Sequence, residues 1–595
     1  MFERLPVPAP PTDAVLSLEV QARAAMDHPE EPVQYKLLIK HFLERFFNNE
    51  MASADGDGRT RLLQVACAVG LPGFIMALYL YPAYHPPRGH RPYWSQVSDH
   101  YFYVVYSLVA LGVVTVFEWD FFFPNLLDVF VLSTLPVKHG RLFFARIAAV
   151  AIFVAGFLFN ANFLAPLVLP AVIDPPNLFR LLTAHLLAVA LSGAFAAALV
   201  LALQGLLLAI LGEHLFRKIS LPIQGLSITG LLTLLLLTPA LADVLRQLIP
   251  SKSAAVPWFP PFWFLGIYQR ILEGPAVLPV FAKLARIGYA ATVLAMALAV
   301  LAYPFAYWRR TRQLVEGSGK SDAHHWMLAP LIAALNAVML RNPIRRAICN
   351  YIGQTLLRVP RYRIYLVMYG GLGIALITAS VCRLSLAHGT MRFAFSPQGL
   401  RAAVPIVAFW TVAGLRTSFL APADRRGAWV FRIVRRRPGL DQLNAAKFWA
   451  FLWAVILSIA TAALACSVEP AQLTDWKFVA TQLLAAIGLP LLLTDIFFLK
   501  VTTIPFTNAH IRPPTHLAVV LTQYLGIFPA LIFLMLRIEG WMEGSLRNIA
   551  LAAVTLCAGH LALRMLHRRL VAAYTSQIDL DDDQEEFPQT LGLRY

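Results

Sequence analysis

From Leu62 to Met565 the chain alternates between apolar runs of membrane-spanning length and short polar loops, and the loops alternate in turn between arginine-rich and arginine-poor. A helix crosses the hydrocarbon core with about 20 mostly apolar residues, and lipid offers no partner to an open backbone, so each run predicts a transmembrane helix. The runs lie at 62–83, 101–117, 147–169, 181–211, 223–244, 285–307, 364–384, 403–420, 448–466, 478–498, 515–536 and 548–566. The expected fold class is an all-α polytopic integral membrane protein with about 12 transmembrane helices. The run at 181–211 is longer than one crossing needs and is compatible with a tilt, an extension or a break. Ahead of the first run, Tyr35, Leu38, Ile39, Phe42 and Phe46 recur at helical spacing, with Lys36, Lys40, Glu44 and Arg45 elsewhere. This predicts an amphipathic helix, lying on the membrane surface or packed against the loops.

Composition agrees. Of 595 residues 58% are hydrophobic and 14% charged, against about 25% charged in soluble domains. The net charge of +17 is spread over many loops rather than gathered on one domain, so it argues for the positive-inside rule and against nucleic acid. With the N-terminus inside, about 35 of the 50 Lys and Arg fall on the cytoplasmic side and about 14 outside, leaving Arg416 alone within a span. Both termini are therefore expected in the cytoplasm of a bacterial-type inner membrane. The loops at 308–363 and 421–447 dominate this bias. No apolar core precedes residue 62, so the first span is expected to act as an uncleaved anchor. Cys67, Cys349, Cys382, Cys466 and Cys557 are far apart and carry no ligand spacing, so neither a disulfide framework nor structural zinc is expected.

The pattern divides the chain into a cytoplasmic segment (1–61), a first six-span half (62–307), a basic cytoplasmic linker (308–363), a second six-span half (364–566) and a tail (567–595) carrying the acidic DLDDDQEE. In each half the second span runs into a long cytoplasmic segment before the third: VFEWDFFFPNLLDVFVLSTLPVKHGRLFFARI, then LRTSFLAPADRRGAWVFRIVRRRPGLDQLNAAKFW. Pseudo-repeated halves are a common way to build a transport pathway. The aromatic segment VPWFPPFWFLGIYQRI (256–271) lies between the fifth and sixth spans, where an interfacial aromatic belt is the plain alternative.

Placed in this order, the amphipathic helix, the segment from Asp120 to Arg146 and the aromatic segment resemble the surface helix, coupling helix and outer re-entrant hairpin of type-2 ABC export permeases. The likeness covers the first half well and the second loosely, since Arg537 to Arg547 is too short for a hairpin. The resemblance implies an export permease in fused two-half form, working with a separate ATPase. It places coupling in 121–141 and 421–440, with Glu118, Asp120, Pro124, Asp128, Leu135, Pro136, Lys138 and Arg141 as the candidate residues.

Such an exporter needs ATP, and the one candidate motif here is EGSGKS, with Gly317, Gly319, Lys320 and Ser321. A phosphate-binding loop needs a further glycine where Leu314 stands. No cofactor is expected in this chain, and ATP is expected to act through the partner. Glu118 falls opposite Arg416 when the halves are aligned. A charged residue inside a span faces protein or water, so an ion pair between the halves is expected, against the alternative that Arg416 snorkels to the surface.

Asn160, Asn162, His185, Gln204, Gln482, Asp495, Gln523 and His560 are expected to join helices by hydrogen bonds, with Lys500 close enough in sequence to neutralise Asp495. His324 and His325 lack further metal ligands. No catalytic constellation can be assembled, so an enzyme is not expected.

Three rivals remain. An ion-coupled secondary transporter would need acidic residues near the midplane. A membrane-embedded enzyme acting on lipid-linked substrates would need a polar cluster at one face, for which His90, Asp99 and His100 are scattered candidates. A non-transporting scaffold is the third. The lipid bilayer is the expected environment; substrate and oligomeric state are open.

Overall fold

A computed structural model of the protein describes residues 31–47, 58–85, 91–124, 126–132, 137–250, 255–316, 342–387, 390–420, 440–468, 475–501, 505–506 and 517–581. Among these, ten helical stretches are long and apolar enough to cross a membrane, so the chain is a multi-pass α-helical membrane protein. They correspond to ten of the expected spans. The other two fall in helices of which one has a shorter apolar stretch, Val69–Tyr84, and one, Leu517–Glu543, is described in full only in its later part.

The first half comprises α1 (Glu31–Phe47), α2 (Gly58–Tyr84), α3 (Tyr93–Phe117), a short α4 (Leu126–Leu132), α5 (His139–Ile173), α6 (Leu178–Leu236), α7 (Thr238–Leu248), α8 (Ala255–Trp258), α9 (Pro260–Glu273) and α10 (Pro279–Glu316). The long apolar run resolves into a reversal. A straight helix of 59 residues would be about 90 Å long, yet both the early and the late turns of α6 lie along α3. Its first limb runs along α3 from His185, against the Tyr103 ring, to Gln204, which donates to the Trp119 carbonyl at 2.5 Å. Its second limb returns, with Leu231 against Gly112 and α7 then reaching the core around Val97 and Tyr101. Gly212 and Pro222 lie between the limbs, and both residue types let helical backbone bend. The aromatic segment forms α8 and α9, with α9 packed on α10 and α6 at this end of the bundle.

The second half comprises α11 (Pro343–Arg358), α12 (Pro360–Val381), β1 (Cys382–Ala387), β2 (Thr390–Phe395), α13 (Pro397–Leu420), α14 (Leu440–Val468), α15 (Trp476–Phe497), α16 (Leu517–Glu543) and α17 (Leu546–Asp581). The antiparallel hairpin β1–β2, with Cys382 opposite Phe395, begins within the last residues of the expected run at 364–384 and fills the stretch after it. The segment read as a linker is largely built where described: α10 runs on to Glu316, and α11 is packed into the core of the second half. EGSGKS, His324 and His325 lie outside the described residues. Helix α17 takes in the first residues of the acidic tail, Asp579 to Asp581.

Two parallels link the halves. Helix α1 packs on α5, and α11 packs on α14, so in each half the helix before the first span lies against the third. The third spans also share a burial register: Leu142, Ala145, Ala149 and Phe153 are buried on α5, as Leu443, Ala446, Ala450 and Ala454 are on α14. The halves meet where the second limb of α6 lies on α12. There Gly225 faces Val367, and Gly371 faces Thr229.

Cys349 of α11 is buried against α14, its thiol directed at the Ala445 carbonyl, and burial pushes that thiol up to about 11, with Arg345 pulling the other way. Thiolate is the reactive form. At neutral pH, Cys349 is expected to resist maleimide in the folded protein and to react once the protein is denatured, which peptide mass mapping checks.

Candidate functional site

The segment after α3 turns back under the bundle and is fastened there by one side chain. Phe117 ends α3, Glu118 caps it through its backbone N–H, and a 3₁₀ turn, Trp119–Phe121, leads to α4. Arg146, two turns into α5, is buried beneath this turn. Its Nη1 donates to Asp128 Oδ2 at 2.9 Å, and its Nη2 to the Phe121 and Phe123 carbonyls at 2.8 and 2.6 Å. Its Nε reaches the Phe122 carbonyl at 3.3 Å. A guanidinium suits this task because it presents five donors in a rigid plane and stays charged.

Other elements converge on the same turn. Tyr303 of α10 donates to the Phe122 carbonyl at 2.6 Å, and Arg310 donates to the Pro124 carbonyl at 2.9 Å. From α1, Phe42 lays its ring against the Arg146 guanidinium, 5.2 Å away, and Gln34 accepts from Arg141 at 3.3 Å. Trp119, Phe122 and Phe123 are fully buried. The segment is thus tied to α5, α10 and α1 together, so a displacement of α4 moves those helices rather than a loose loop. On α4 itself Phe130 and Val131 are both more than half exposed, two adjacent apolar side chains turned away from the buried Asp128.

The expected coupling residues divide. Pro124, Asp128 and Arg141 belong to this site, and Glu118 stands at its start. Lys138 is the exposed N-cap of α5, while Leu135, Pro136 and the Asp120 side chain lie outside what is described. Among the described residues, no ion pair joins Glu118 to Arg416. Arg416 donates instead to the Phe497 carbonyl at 2.9 Å and lies over the Phe498 ring, within its own half. The end of α15 offers carbonyls with no partner in the helix, and a cation is favoured there. Arg146 itself was legible only as a basic residue at a span edge; nothing in the sequence marks its partners. The second-half coupling stretch, 421–440, lies almost wholly outside the described residues.

A second polar cluster occupies the opposite end of the first half. Arg91 holds Asp99 through two bonds, 2.6 and 2.7 Å, and Tyr84 donates to it at 2.9 Å. Burial works against the charge of Arg91, and its bonds to Asp99 more than offset this, holding it above its ordinary value. Next along α3, His100 stacks on Tyr268 and bonds Gln269 at 2.9 Å, both from α9. Tyr268 in turn lies 3.4 Å from His185 Nδ1. Of the residues expected at this face, His100 fastens α9 while its neighbour Asp99 ties the loop residue Arg91 to Tyr84 of α2; His90 lies outside the described residues.

Among the polar residues of the spans, Asn162 bonds Ser107 at 3.0 Å and Gln482 bonds Glu539 at 3.2 Å. Asp495 is met by His560 and Lys447, not by the exposed Lys500. Five residues along, a helix points about 140° away, and Lys500 lies past the end of α15.

Searches of known family models, curated proteins and solved structures find nothing that matches this chain.

Proposed function

We propose that this protein is the permease of an ATP-driven exporter of ABC type, with twelve crossings in two related halves, both termini in the cytoplasm, and a separate ATPase docking on the segment from Phe121 to Arg141. The observation that carries this reading is the Arg146 site. A segment outside the membrane is bound rigidly to two spanning helices and a surface helix, with apolar Phe130 turned outward. In such a machine the permease performs no chemistry; closure of the ATPase selects between inward-facing and outward-facing states. An ion-coupled carrier is the second reading, favoured by the buried carboxylate of Asp495.

Purification in mild detergent from the native membrane, followed by mass spectrometry, separates the two. The exporter reading expects stoichiometric recovery of an ABC-type ATPase and its loss from Phe130→Asp protein that remains folded. Recovery of the intact protein alone, in preparations that bind an ion, overturns that reading in favour of the carrier.

A further inference from the structure

Lys447 occupies on α14 the place that Arg146 occupies on α5. Each directly follows a buried alanine, Ala446 or Ala145, and each precedes another by three residues, Ala450 or Ala149. The two bases are put to different use. Arg146 grips the segment between the second and third spans, whereas Lys447 faces Asp495 of α15, its Nζ 3.9 Å from Oδ1. The other carboxylate oxygen, Oδ2, lies 2.5 Å from His560 Nδ1 on α17. One buried carboxylate thus presents an oxygen to each of two helices, and each answers with a base.

We propose that Lys447, Asp495 and His560 form a proton-binding switch in the second half, in which Asp495 is shared between α14 and α17 according to the charge on His560. With His560 neutral, Nδ1–H donates to Asp495, and Lys447 supplies the only full positive charge of the three. The carboxylate and the ammonium then balance, and α14 holds α15. A proton from water adds to His560 Nε2, while Nδ1–H keeps its bond to Oδ2. The imidazolium now competes with Lys447 for one negative charge, so the α15–α17 tie strengthens as the α14–α15 tie weakens. No bond other than the new N–H is made, and the site gains one positive charge.

The surroundings suit the assignment. His560 retains 26% side-chain exposure, and Arg564 lies one turn further along α17, at the level where that helix becomes basic. Charged side chains mark the exit from hydrocarbon, which puts His560 one turn inside that level. Two turns beyond His560, His567 Nδ1 donates to the Leu499 carbonyl at 2.8 Å, and its Nε2 is buried with no hydrogen-bond partner. This second histidine fixes α17 to the end of α15 through a backbone carbonyl and lies near enough to feel Asp495 and Lys447, while His560 is the one that bonds the carboxylate directly. Among the described residues, the charged and titratable groups around the pair are Lys447, across Asp495 from His560, with Arg564 and His567 beside them. An imidazole ordinarily titrates near 6.5, between the two extremes of physiological pH.

The test uses the full-length protein in lipid nanodiscs, with the native cysteines replaced by serine and spin labels at Trp453→Cys on α14 and Leu561→Cys on α17, both outward-facing positions. Between about pH 5.5 and about pH 8.5, spanning the imidazole range, the label separation is expected to shift by about 1–2 Å, the scale of helix displacements at packed interfaces. His560→Gln keeps a hydrogen bond to Asp495 and is expected to abolish the shift. Lys447→Met is expected to hold the low-pH separation throughout, and His567→Gln to leave the shift in place. An invariant separation in the unsubstituted trio, or a shift that survives His560→Gln, overturns the proposal, as does a shift lost only with His567. The measurement requires no ATPase and no transported substrate, so it stands or falls apart from the exporter reading.

Discussion

Arg146→Met is expected to be the most damaging single substitution in the first half. Arg146 is only 4% exposed and Asp128 only 7%, so removing the guanidinium leaves a carboxylate buried without its cation. Breaking a buried pair from one side costs about 3–5 kcal/mol. The Phe121 and Phe123 carbonyls lose their bonds as well, while the Phe122 carbonyl keeps that from Tyr303. Against a total stability of about 5–15 kcal/mol for a folded domain, the expected result is protein that fails to accumulate or loses its fold well below the unsubstituted Tm. Size-exclusion profiles of heated, detergent-solubilised samples measure this. Arg146→Lys is expected to be intermediate, since one ammonium satisfies Asp128 but not the fan of carbonyls. The double substitution Arg146→Met with Asp128→Leu is expected to recover most of the loss, because an apolar pair of similar volume replaces a buried ionic one at little cost. If the double variant is no better than the single, Arg146 acts mainly through the carbonyls rather than through Asp128. The recovered double variant also has a second use. It keeps α5 packed while releasing the turn, so if the proposed exporter reading holds, weaker ATPase recovery from it separates anchoring from mere folding.

What the sequence disclosed, and what it withheld, follows from the solvent. Lipid enforces long apolar runs, and those runs fall on α3, α5 and both limbs of α6, although α3 and α5 each begin eight residues before the expected run and the second limb of α6 ends eight residues before its own. The amphipathic spacing from Tyr35 likewise disclosed α1, because the stripe holding Leu38 and Phe42 is the one buried. Contacts between helices were another matter. Glu118 and Arg416 were matched by aligning two halves along the chain, but a charge near a helix end is drawn to the nearest unsatisfied carbonyl. For Arg416 that is Phe497 on its own side of the molecule. Asp495 shows the same failure in reverse: Lys500 was near in sequence, while Lys447 and His560 were near in space. The hairpin β1–β2 was missed because a span ending at 384 absorbed part of its first strand. The likeness of α5 and α14 lies in which residues are buried, which residue identity between the halves, being low, does not disclose.

Gly266→Ala is expected to lift α9 from the bundle, with the second-largest effect. A β-carbon at Gly266 would sit 2.7 Å from Leu284 Cβ, 2.8 Å from the Ala285 amide nitrogen and 2.8 Å from the Phe281 carbonyl oxygen. Two of these are backbone atoms of α10, which cannot turn aside as a long side chain can. From the other helix, Gly288 meets α9 in the same way, its β-carbon position 3.1 Å from the Trp263 carbonyl oxygen. The two helices therefore touch backbone to backbone, and one methyl group pushes them apart. Overpacking of this kind costs about 1–3 kcal/mol. The displacement carries Tyr268 and Gln269 with it, and these are the residues that bond His185 and His100. Loss of thermal stability is the first readout. The second is faster hydrogen exchange in α9, since an amide protected by packing exchanges when its helix lifts. Gly230→Ala on the second limb of α6 is the matched control, because nothing lies within 4 Å of the added carbon. There the helix gains the advantage of alanine over glycine, about 0.5–1 kcal/mol, and Tm is expected to hold or rise. If both alanines lower Tm alike, close approach of α9 to α10 is not what makes Gly266 necessary.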